Sequence, residues 1–490
     1  TRSFQEGCRC HHDDFLELRF VKRVVDGQVE AGALFQQDLD TAQAGGAVRQ
    51  RVGQGVLARG QQGQAVVAGG VRRRRTPTRQ GRAGRLDAYL GDGRAVGRGR
   101  PGDLLDAGYR SVGRDFPVFL HPDTGEEYAL ARTERKTGPG YRGFEVHAAP
   151  DVSLEEDLRR RDLTVNAMAR DSRNRLIDPY GGQSDLNARI LRHVSPAFAE
   201  DPVRILRTAR FAAVLHDEGF RIAEETMSLM TRMVTDGEAD ALVPERVWQE
   251  TRRALACSHP EVFIQVLRDC AALAVIYPEI DALFGVPQPA RWHPEIDTGV
   301  HLLMVMREAA RLTSSSRVRF AALVHDLGKG ATPTDRLPGH RGHEEKGAEM
   351  VAEMAARLRI PNEFRDLGIL TARYHGLAHR ALELRPGTVL RLLERADALR
   401  RPERFAEFLL ACEADMRGRK GFSERPYPQA SLLASCLTAA AEAPTPDPGG
   451  LSGEEVGRRL REARLKAISD LLDSRRPPPS AKVKDDCGSE

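Results

Sequence analysis

The chain lacks any run of about 20 consecutive apolar residues, the length that a membrane-spanning helix needs. No basic segment followed by an apolar one opens the sequence, so we expect no signal peptide. The chain also has no large excess of positive or negative charge: its formal net charge is only +4 over 490 residues. With a mean hydropathy of −0.44, these features predict a globular cytoplasmic protein without a membrane partner.

Cysteine is scarce and shows no pattern of paired spacings. The seven cysteines stand at positions 8, 10, 257, 270, 412, 436 and 487. An odd number without framework spacing predicts free thiols in a reducing cytoplasm. The segment Cys8-Arg-Cys10-His11-His12 has metal-ligand chemistry, but adjacent ligands with no second half make a weak site.

Residues 41–102 lack Lys, Glu, Ile, Phe, Met and Ser, and their only aromatic residue is Tyr89. The same block holds 15 Gly and 13 Arg, with neither the period of a strand nor that of a helix. Two interpretations stay open: a disordered basic segment, or GC-rich DNA translated in another frame, since GC-rich codons encode Gly, Arg, Ala, Pro and Val. In either case we expect residues 1–102 not to form a catalytic domain.

From Asp103 onward the composition is that of a folded protein, and the length suits two or three domains. Two strands joined by a turn are predicted at 116–122 and 127–132, and a mobile loop at 138–143. Helical periodicity dominates from Leu154 to about residue 473, with prolines at predicted helix starts. We therefore predict an α+β fold, a small mixed sheet followed by all-helical regions. The predicted divisions are 1–102 (atypical), 103–170 (sheet-bearing head), 171–290 (helical neck), 298–400 (second helical domain), 401–475 (helical C-terminal region) and 476–490 (disordered tail).

Arginine is grouped along the chain, as binding to a phosphate-rich partner requires. Arg160 and Arg161 are flanked by carboxylates ahead of an apolar helix. They could hold a triphosphate while the acids fix their rotamers. From the charges alone, a solvated charge run at a helix start is the simpler explanation.

A second group of arginines lies on one predicted helix. At about 100° per residue, one half of this helix carries four charged residues: Asp201, Arg204, Arg207 and Arg210. The three arginines repel one another by about a few tenths of a kcal/mol per pair, and an anionic ligand would relieve this repulsion. Asp201 before Pro202 is also an ordinary N-cap. Because an N-cap side chain lies at the end of the helix, capping and ligand contact are compatible.

Histidine is concentrated in one region, since seven of the 14 histidines lie between positions 293 and 379. Imidazole and carboxylate together suit a divalent transition metal or Mg²⁺, and a bound metal can generate hydroxide near neutral pH. The predicted metal ligands are His301, the adjacent pair His325 and Asp326 at the end of an apolar stretch, and Asp397. Further possible ligands or phosphate contacts are His340, His343, His375 and His379.

Taken in order, these segments resemble the class II tRNA nucleotidyltransferases, specifically the bacterial CCA-adding enzymes that carry an HD domain. The resemblance begins at about Asp103 and extends beyond residue 420. It rests on Leu105-Asp-Ala-Gly-Tyr, Gly113-Arg-Asp-Phe-Pro-Val-Phe-Leu-His-Pro, Arg160-Arg-Asp, Glu200-Asp-Pro-Val-Arg, Trp292-His-Pro-Glu-Ile-Asp-Thr-Gly, His325-Asp-Leu-Gly-Lys-Gly and Glu413-Ala-Asp-Met-Arg-Gly-Arg. Such a series of long motifs in one order is more specific than any single motif.

The resemblance implies that the chain adds and repairs the 3′-terminal CCA of tRNA from CTP and ATP, with Mg²⁺ and without a template. It implies that Asp201 and Arg204 present a base-like hydrogen-bonding edge, and that the incoming nucleotide is bound by Arg161, Arg207 and Arg210. The HD domain resembles phosphodiesterase and phosphatase modules acting on 2′-phosphates and 2′,3′-cyclic phosphates. For that domain we expect a divalent transition metal, with Ni²⁺ preferred, and for the chain a monomer or homodimer.

The front of the chain departs from the family. The family opens with Gly-Gly-x-x-x-Arg-Asp followed by Asp-x-Asp, whose carboxylates hold Mg²⁺. Here residues 45–50 imitate the first motif with Gln50 in the Asp position, whereas the Asp-x-Asp at Asp38 and Asp40 precedes it. Glu127 could supply a third carboxylate, but one acid cannot hold two metal ions. Three alternatives to CCA addition therefore stay open: an HD phosphohydrolase alone, a tRNA-binding remnant without catalysis, and a poly(A) polymerase-like enzyme.

Overall fold

A computed structural model describes residues 85–90, 95–98, 100–112, 118–136, 144–147, 151–171, 173–450 and 452–475. These residues fall into two units. The first holds the described residues up to Arg135, together with 145–188 and 193–197, and the second holds most of the rest, from Phe198 onward. The predictions for residues 1–84, the loop at 138–143 and the tail at 476–490 lie outside the described residues.

The first unit combines short strands with three helices. In chain order its elements are β1 Arg85–Leu90, β2 Ala95–Arg98, α1 Pro101–Asp106, β3 Arg110–Val112, β4 Val118–Leu120, β5 Glu127–Leu130, β6 Thr133–Lys136, β7 Phe144–His147, α2 Leu154–Arg159, β8 Ala169–Asp171, β9 Leu176–Ile177 and α3 Gly182–Ala188. Seven strands form one sheet in the order β3-β4-β5-β2-β1-β8-β9, and β6 pairs with β7. In the large sheet β2 and β5 are parallel, and the other neighbouring strands are antiparallel.

Helix α2 places the Arg160–Arg161 segment beside this sheet. The hydroxyl of Ser153 accepts the backbone N–H of Glu156 at 3.1 Å, and the Glu156 carboxylate accepts the Ser153 N–H at 2.8 Å. This reciprocal capping box fixes the helix start. Leu154 and Leu158 then pack into an apolar cluster with residues of the sheet, including Val96.

The sheet corrects two predicted boundaries. β1 and β2 lie inside residues 1–102, where we expected no contribution to the head, and they pair with β8 and β5. The strands predicted near 116–132 therefore have a neighbour from within residues 1–102, because β5 pairs with β2 as well as with β4. Every residue except proline has a backbone N–H and a C=O group that can pair with a neighbouring strand. The scarcity of β-branched residues in this block therefore did not exclude the strands β1 and β2. At the other end, β8, β9 and α3 extend the head to residue 188, beyond the predicted limit at 170.

The second unit is almost entirely helical. It contains a two-stranded parallel pair, β10 Ile190–Leu191 and β11 Arg221–Ile222. Its helices are α4 Val203–Val214, α5 Glu224–Thr235, α6 Pro244–Leu255, α7 Pro260–Asp269, α8 Ala272–Ile276, α9 Pro278–Asp281, α10 Thr298–Leu312, α11 Ser316–Val324, α12 His343–Arg357, α13 Asn362–His379, α14 Pro386–Arg395, α15 Pro402–Arg417, α16 Pro428–Ala441 and α17 Gly453–Ser474. Within the described ranges, no helix has both the length and the apolar composition needed to cross a membrane.

The α+β fold class is confirmed, and so are the helix starts expected at proline. Pro244 and Pro260 open α6 and α7, and Pro202 directly precedes α4. The strands β8 to β11 interrupt the region that we predicted as helical. They are two or three residues long, which is too short for an alternating apolar pattern to be visible in the sequence.

Candidate metal centre and arginine-rich helix

Several polar side chains lie together in the interior of the second unit, where burial of each one without a partner would be unfavourable. His301 lies on α10, His325 and Asp326 follow α11, and Asp415 lies on α15. All four are almost fully buried, with at most 3% of the residue exposed. Because buried charges in proteins are usually paired or bound to a metal ion, this cluster is the candidate centre.

Asp415 connects the two histidines. Its Oδ1 lies 3.0 Å from His301 Nε2 and 3.6 Å from His325 Nε2. The potential ligand atoms of these three residues all lie within 4.8 Å of one another. Metal–nitrogen and metal–oxygen bonds of about 2.0–2.2 Å require ligand atoms at such separations, so the group can hold a divalent cation.

The ring of His325 is oriented by the backbone of its own helix. Its Nδ1 is 2.7 Å from the carbonyl oxygen of Ala322, to which it donates. Its Nε2 is buried without a hydrogen-bonding partner, although Asp326 Oδ2 lies only 3.1 Å away. A metal-binding histidine commonly donates its other ring N–H in this way, so Nε2 is the atom that would face a cation.

The carboxylates of the centre are held in their ionised form. Burial opposes ionisation of Asp326, but the charges of His325 and Lys329 hold its pKa well below the ordinary value. Lys329 Nζ lies 2.6 Å from Asp326 Oδ2. Burial likewise opposes ionisation of Asp415, whereas His325 and His379 lower its pKa. Both groups therefore carry the negative charge that metal ligation requires.

The charge of His325 would change when a cation binds. Burial opposes its protonation, but Asp326 and Asp415 raise the pKa of His325 to about 10. A metal ion that binds Nε2 would therefore displace a proton.

Asp326 also belongs to a second group, with His343 and His375, whose potential ligand atoms lie within 4.8 Å of one another. Asp326 Oδ1 is 3.5 Å from His343 Nε2 and 3.4 Å from His375 Nε2. His343 is the first residue of α12, which approaches the segment after Asp326 very closely. A Cβ atom at Gly328 would lie 2.0 Å from the His343 carbonyl oxygen, so only glycine allows this approach.

A third group, His293, Glu295 and His301, lies at the edge of the centre. Glu295 Oε1 is 3.0 Å from His293 Nδ1 and 2.9 Å from His301 Nδ1. Burial opposes ionisation of Glu295, but the hydrogen bond from His293 lowers its pKa far below the ordinary value. Glu295 thus contacts the Nδ1 side of the His301 ring and orients it, while Nε2 faces Asp415.

The structure brings His301, His325 and Asp326 together, but not Asp397. Asp397 follows α14 with a backbone φ of 50°, and its partly exposed carboxylate lies 3.4 Å from Arg401 Nε. It belongs to no group of potential metal ligands among the described residues. Among the described residues, the geometry places Asp415 rather than Asp397 against His301 and His325. Asp397 closes the turn into α15, where its carbonyl oxygen accepts the Arg401 N–H at 2.9 Å.

Asp415 is absent from the predicted metal ligands, although it lies in one of the segments that carry the family resemblance, Glu413-Ala-Asp-Met-Arg-Gly-Arg. The predicted domain limit at residue 400 separated this segment from the histidines. His379 supports Asp415, with its Nε2 2.6 Å from Asp415 Oδ2. His340 instead contacts Thr332 Oγ1 at 2.8 Å and the Pro287 carbonyl oxygen at 3.1 Å.

The charged half of α4 is covered in the structure. Arg204 is 8% exposed and Arg210 only 1%. Arg210 Nε donates to Glu250 Oε2 at 2.7 Å, and its guanidinium carbon lies 4.5 Å from the centre of the Phe211 ring. Arg210 therefore has a structural partner that the helix periodicity did not indicate, and its role toward a nucleotide stays a prediction. Arg207 lies beside the same ring, with 5.7 Å between its guanidinium carbon and the ring centre.

Asp201 lies one residue before the N-cap of α4, which is Pro202 rather than the predicted Asp201, and its Oδ1 accepts the Val203 N–H at 3.1 Å. Its two carboxylate oxygens also accept hydrogen bonds from Arg246 Nη1 and Nη2, at 3.0 and 2.8 Å. Such a bidentate pair fixes the plane of the carboxylate. No local pattern predicts this partner, because Arg246 lies 45 residues away in the chain.

In the first unit, acidic side chains fix the arginines after α2, as expected. Arg160 Nη2 pairs with Asp157 Oδ1 at 2.6 Å, and Arg161 Nε lies 3.7 Å from Asp157 Oδ2 while its Nη1 donates to the Asn166 carbonyl oxygen at 3.0 Å. Burial opposes ionisation of Asp157, but the charges of Arg160 and Arg161 lower its pKa. Glu127 is partly buried on β5 and belongs to none of the ligand groups found among the described residues.

The prediction of free thiols is confirmed for the four described cysteines, Cys257, Cys270, Cys412 and Cys436. Burial raises the pKa of Cys270 to about 11, so this thiol stays protonated near neutral pH. The other three cysteines, and with them the Cys8–His12 segment, lie outside the described residues.

Three family descriptions match parts of the chain in the order head, neck and second domain. They are "Poly A polymerase head domain" over residues 113–192, "Probable RNA and SrmB- binding site of polymerase A" over 219–284 and "HD domain" over 298–401. The last match covers the segments that carry His301, His325, Asp326, His343 and His375.

Two similar proteins share most of their length with this chain. The Multifunctional CCA protein of Thioalkalivibrio sulfidiphilus (strain HL-EbGR7) is 64% identical over 372 residues, which cover 75% of this chain and 90% of that protein. The Multifunctional CCA protein of Nitrosococcus oceani (strain ATCC 19707) is 61% identical over 379 residues, covering 77% and 92%. A solved structure described as the complex of CCA-adding enzyme with CTP is similar with a TM-score of 0.51 and 18% identity, over 78% of this chain and 85% of that one. At this identity the structural likeness shows the fold.

Proposed function

Because this chain belongs to the family of multifunctional CCA proteins, we propose that it acts on tRNA in the cytoplasm through two sites. The head and neck would add and repair the 3′-terminal CCA from CTP and ATP, with Mg²⁺. The buried centre formed by His301, His325, Asp326 and Asp415, hereafter the HD centre, would hydrolyse phosphate esters, including 2′,3′-cyclic phosphates, with a divalent transition metal such as Ni²⁺. The names of the relatives support the first activity, and the geometry of the second unit supports the second.

The buried histidine–aspartate cluster is the observation that carries the hydrolase. His301, His325 and Asp415 would hold the cation, with Asp326 next to them. A bound divalent cation polarises a phosphoryl oxygen and supplies a nucleophile near neutral pH. Lys329 places its ammonium group 2.6 Å from Asp326, where it can also attract the negative charge of a phosphate.

Hydrolysis of 2′,3′-cyclic AMP by the full chain tests the hydrolase directly. We expect activity with added Ni²⁺ and none after chelation. His325→Ala should abolish it while any nucleotide transfer stays largely unchanged. His216→Ala, which removes an exposed histidine on the segment after α4, is the matched control and should keep full activity. Equal loss of both activities in a folded His325→Ala protein would contradict two separate sites.

A narrower second candidate is that the protein with this amino-acid sequence only hydrolyses phosphate esters and does not transfer nucleotides. The sequence has no Asp-x-Asp after a Gly-Gly turn. Moreover, all ligand groups found among the described residues lie in the second unit. Nucleotidyl transfer needs carboxylates that hold Mg²⁺ at the triphosphate, so the observation favours a head that folds without its catalytic pair.

Incorporation of labelled CTP into tRNA that lacks its terminal CCA decides between the two candidates. We expect no incorporation by the printed sequence, and incorporation by a variant in which the family's Gly-Gly and Asp-x-Asp segments are restored in order. Robust Mg²⁺-dependent incorporation by the printed sequence would show a carboxylate pair that we did not recognise. Addition of AMP residues alone would instead support the poly(A) polymerase-like alternative.

A further inference from the structure

Gln288 lies in the segment between α9 and α10 and is buried, with 2% of the residue exposed. Its side-chain oxygen Oε1 accepts a hydrogen bond from Lys329 Nζ at 2.9 Å. Its side-chain nitrogen Nε2 is also buried, but it has no hydrogen-bonding partner among the described residues. Burial of an amide N–H without an acceptor is unfavourable, so Nε2 requires an acceptor that the described residues do not supply.

The ammonium group of Lys329 determines which way the Gln288 amide faces. An ammonium group only donates hydrogen bonds, so the amide atom that contacts it must be the oxygen, and Nε2 lies on the other side of the amide carbon. Because the oxygen and nitrogen of one amide are about 2.3 Å apart, Gln288 Nε2 lies within about 5 Å of Lys329 Nζ. At this separation, two oxygens of one phosphate group can contact both nitrogens.

Lys329 gives this group of donors a positive charge and connects it to the HD centre. Its Nζ lies 2.6 Å from Asp326 Oδ2, and the residue is buried. An ammonium group has three N–H groups, of which Asp326 and Gln288 accept two. The third N–H of Lys329 and the two N–H groups of Gln288 Nε2 are therefore donors for a ligand. Charged oxygen atoms form the strongest hydrogen bonds with such donors, so the arrangement favours an anion with several oxygens.

The backbone at Gln288 is fixed by contacts from two directions. The Gln288 N–H donates to the Ile296 carbonyl oxygen at 2.9 Å, which closes the segment before α10 into a loop. His340 Nε2 donates to the Pro287 carbonyl oxygen at 3.1 Å, and the other ring nitrogen of His340 contacts Thr332 Oγ1 at 2.8 Å. His340 therefore holds the backbone directly before Gln288. A side chain on a fixed backbone loses little freedom when a ligand binds.

We propose that Gln288 binds the phosphate group of the hydrolase substrate together with Lys329, through N–H groups that donate to the non-bridging phosphate oxygens. This inference rests on the proposed HD hydrolase and adds to it a residue that recognises the substrate. A phosphate ester has both the negative charge and the acceptor oxygens that these donors match. A buried water molecule would also satisfy Gln288 Nε2, but that contact would not strengthen the binding of phosphate.

Calorimetric titration of the full Ni²⁺-loaded chain with inorganic phosphate tests this subsite apart from turnover. Gln288→Met removes the amide and keeps a side chain of similar length. We expect it to weaken phosphate binding by roughly tenfold or more, the loss typical of a hydrogen bond to a charged group. KM for 2′,3′-cyclic AMP should rise by a similar factor, with kcat nearly unchanged. Gln183→Met, which changes a partly exposed glutamine on α3, is the matched control and should alter neither quantity.

The possible results separate the role of Gln288 from the hydrolase itself. Unchanged phosphate affinity and KM in a folded Gln288→Met protein would overturn the inference and leave the hydrolase intact. Weaker phosphate binding with an unchanged KM would show that Gln288 binds free phosphate and not the substrate, which also overturns the inference. An unaltered chain that neither binds phosphate nor hydrolyses 2′,3′-cyclic AMP would overturn the hydrolase together with the inference.

A second measurement on the unaltered chain keeps the proposal testable if Gln288→Met does not fold. Phosphate should slow hydrogen–deuterium exchange of the backbone amides in the loop 288–296, because the ligand holds the Gln288 side chain and with it the loop. Exchange in this loop that does not respond to saturating phosphate would overturn the inference.

Discussion

The guanidinium group of Arg210 on α4 and the carboxylate of Glu250 on α6 form a buried ion pair, with 2.7 Å between Arg210 Nε and Glu250 Oε2 and side chains that are 1% and 6% exposed. Burial opposes ionisation of Glu250, but the charges of Arg210 and Arg207 lower its pKa. A residue that we expected at a nucleotide is therefore also a structural element of the neck.

Arg210→Met should destabilise the chain, because it removes the buried partner of the Glu250 carboxylate and leaves only the more distant charges of Arg207 and the partly exposed Arg253 to compensate it. We expect a loss of about 3 kcal/mol, at the low end for a broken buried pair. Arg253→Met removes a partly exposed partner and should cost about 1 kcal/mol or less. Urea unfolding followed by the fluorescence of Trp248, which lies on α6, measures both. Equal midpoints for the two variants would contradict the structural role of Arg210.

The contribution of Glu250 to stability should depend on pH in a defined direction. Its pKa in the fold is lower than in the unfolded chain, where a glutamate titrates at about 4.3. The stabilisation is therefore complete above about pH 4.3 and decreases as the pH falls through the folded-state pKa. The difference between the unaltered chain and Glu250→Gln should shrink in the same acidic range. A difference that stays constant between pH 7 and pH 3 would argue against an ionised Glu250.

Asp415→Asn should remove the bound metal ion and the hydrolase activity, because a neutral amide is a much weaker ligand than a carboxylate and Asp415 contacts both His301 and His325. The matched change Asp397→Asn should leave metal content and hydrolysis unchanged, since Asp397 pairs with Arg401. Metal content after gel filtration and the rate of 2′,3′-cyclic AMP hydrolysis are measured for both. Loss of metal in Asp397→Asn with retention in Asp415→Asn would reverse the assignment.

Gly328→Ala should disrupt the metal centre although it changes no ligand. The added Cβ would lie 2.0 Å from the His343 carbonyl oxygen, so α12 must move away from Asp326. Gly387→Ala on α14 is the control, because no heavy atom lies within 4 Å of its added Cβ. We expect Gly328→Ala to lose its bound metal ion and to unfold at lower temperature, and Gly387→Ala to change neither. Normal metal content in Gly328→Ala would show that the approach of α12 is not needed.

Arg204→Ala should weaken selection of CTP and ATP by roughly tenfold or more, since a charge-assisted hydrogen bond contributes about 1.5–3 kcal/mol. Dissociation constants from calorimetry test this, with circular dichroism to confirm the fold. Arg253→Ala, a partly exposed arginine on α6, serves as the control and should bind both nucleotides normally. Unchanged affinity in a folded Arg204→Ala protein would remove Arg204 from the nucleotide site.

The sequence by itself determined the fold class, the helix starts and the adjacent pair His325–Asp326. These features depend on local physics: proline at the first turn of a helix, as in α6 and α7, and the period of apolar residues. It also predicted a metal site in the second helical domain, because seven of 14 histidines lie in one region.

Only the tertiary structure decided which carboxylate lies against the buried histidines and which arginine has a buried carboxylate partner. Asp415 meets His301 across 114 residues of chain, and Arg210 meets Glu250 across 40. Contacts between residues so far apart in the chain depend on which helices pack against each other. Local periodicity does not predict this packing. The same reason explains β1 and β2, because strands form where a neighbouring backbone offers free N–H and C=O groups, and the sequence of one strand does not show whether such a neighbour is present.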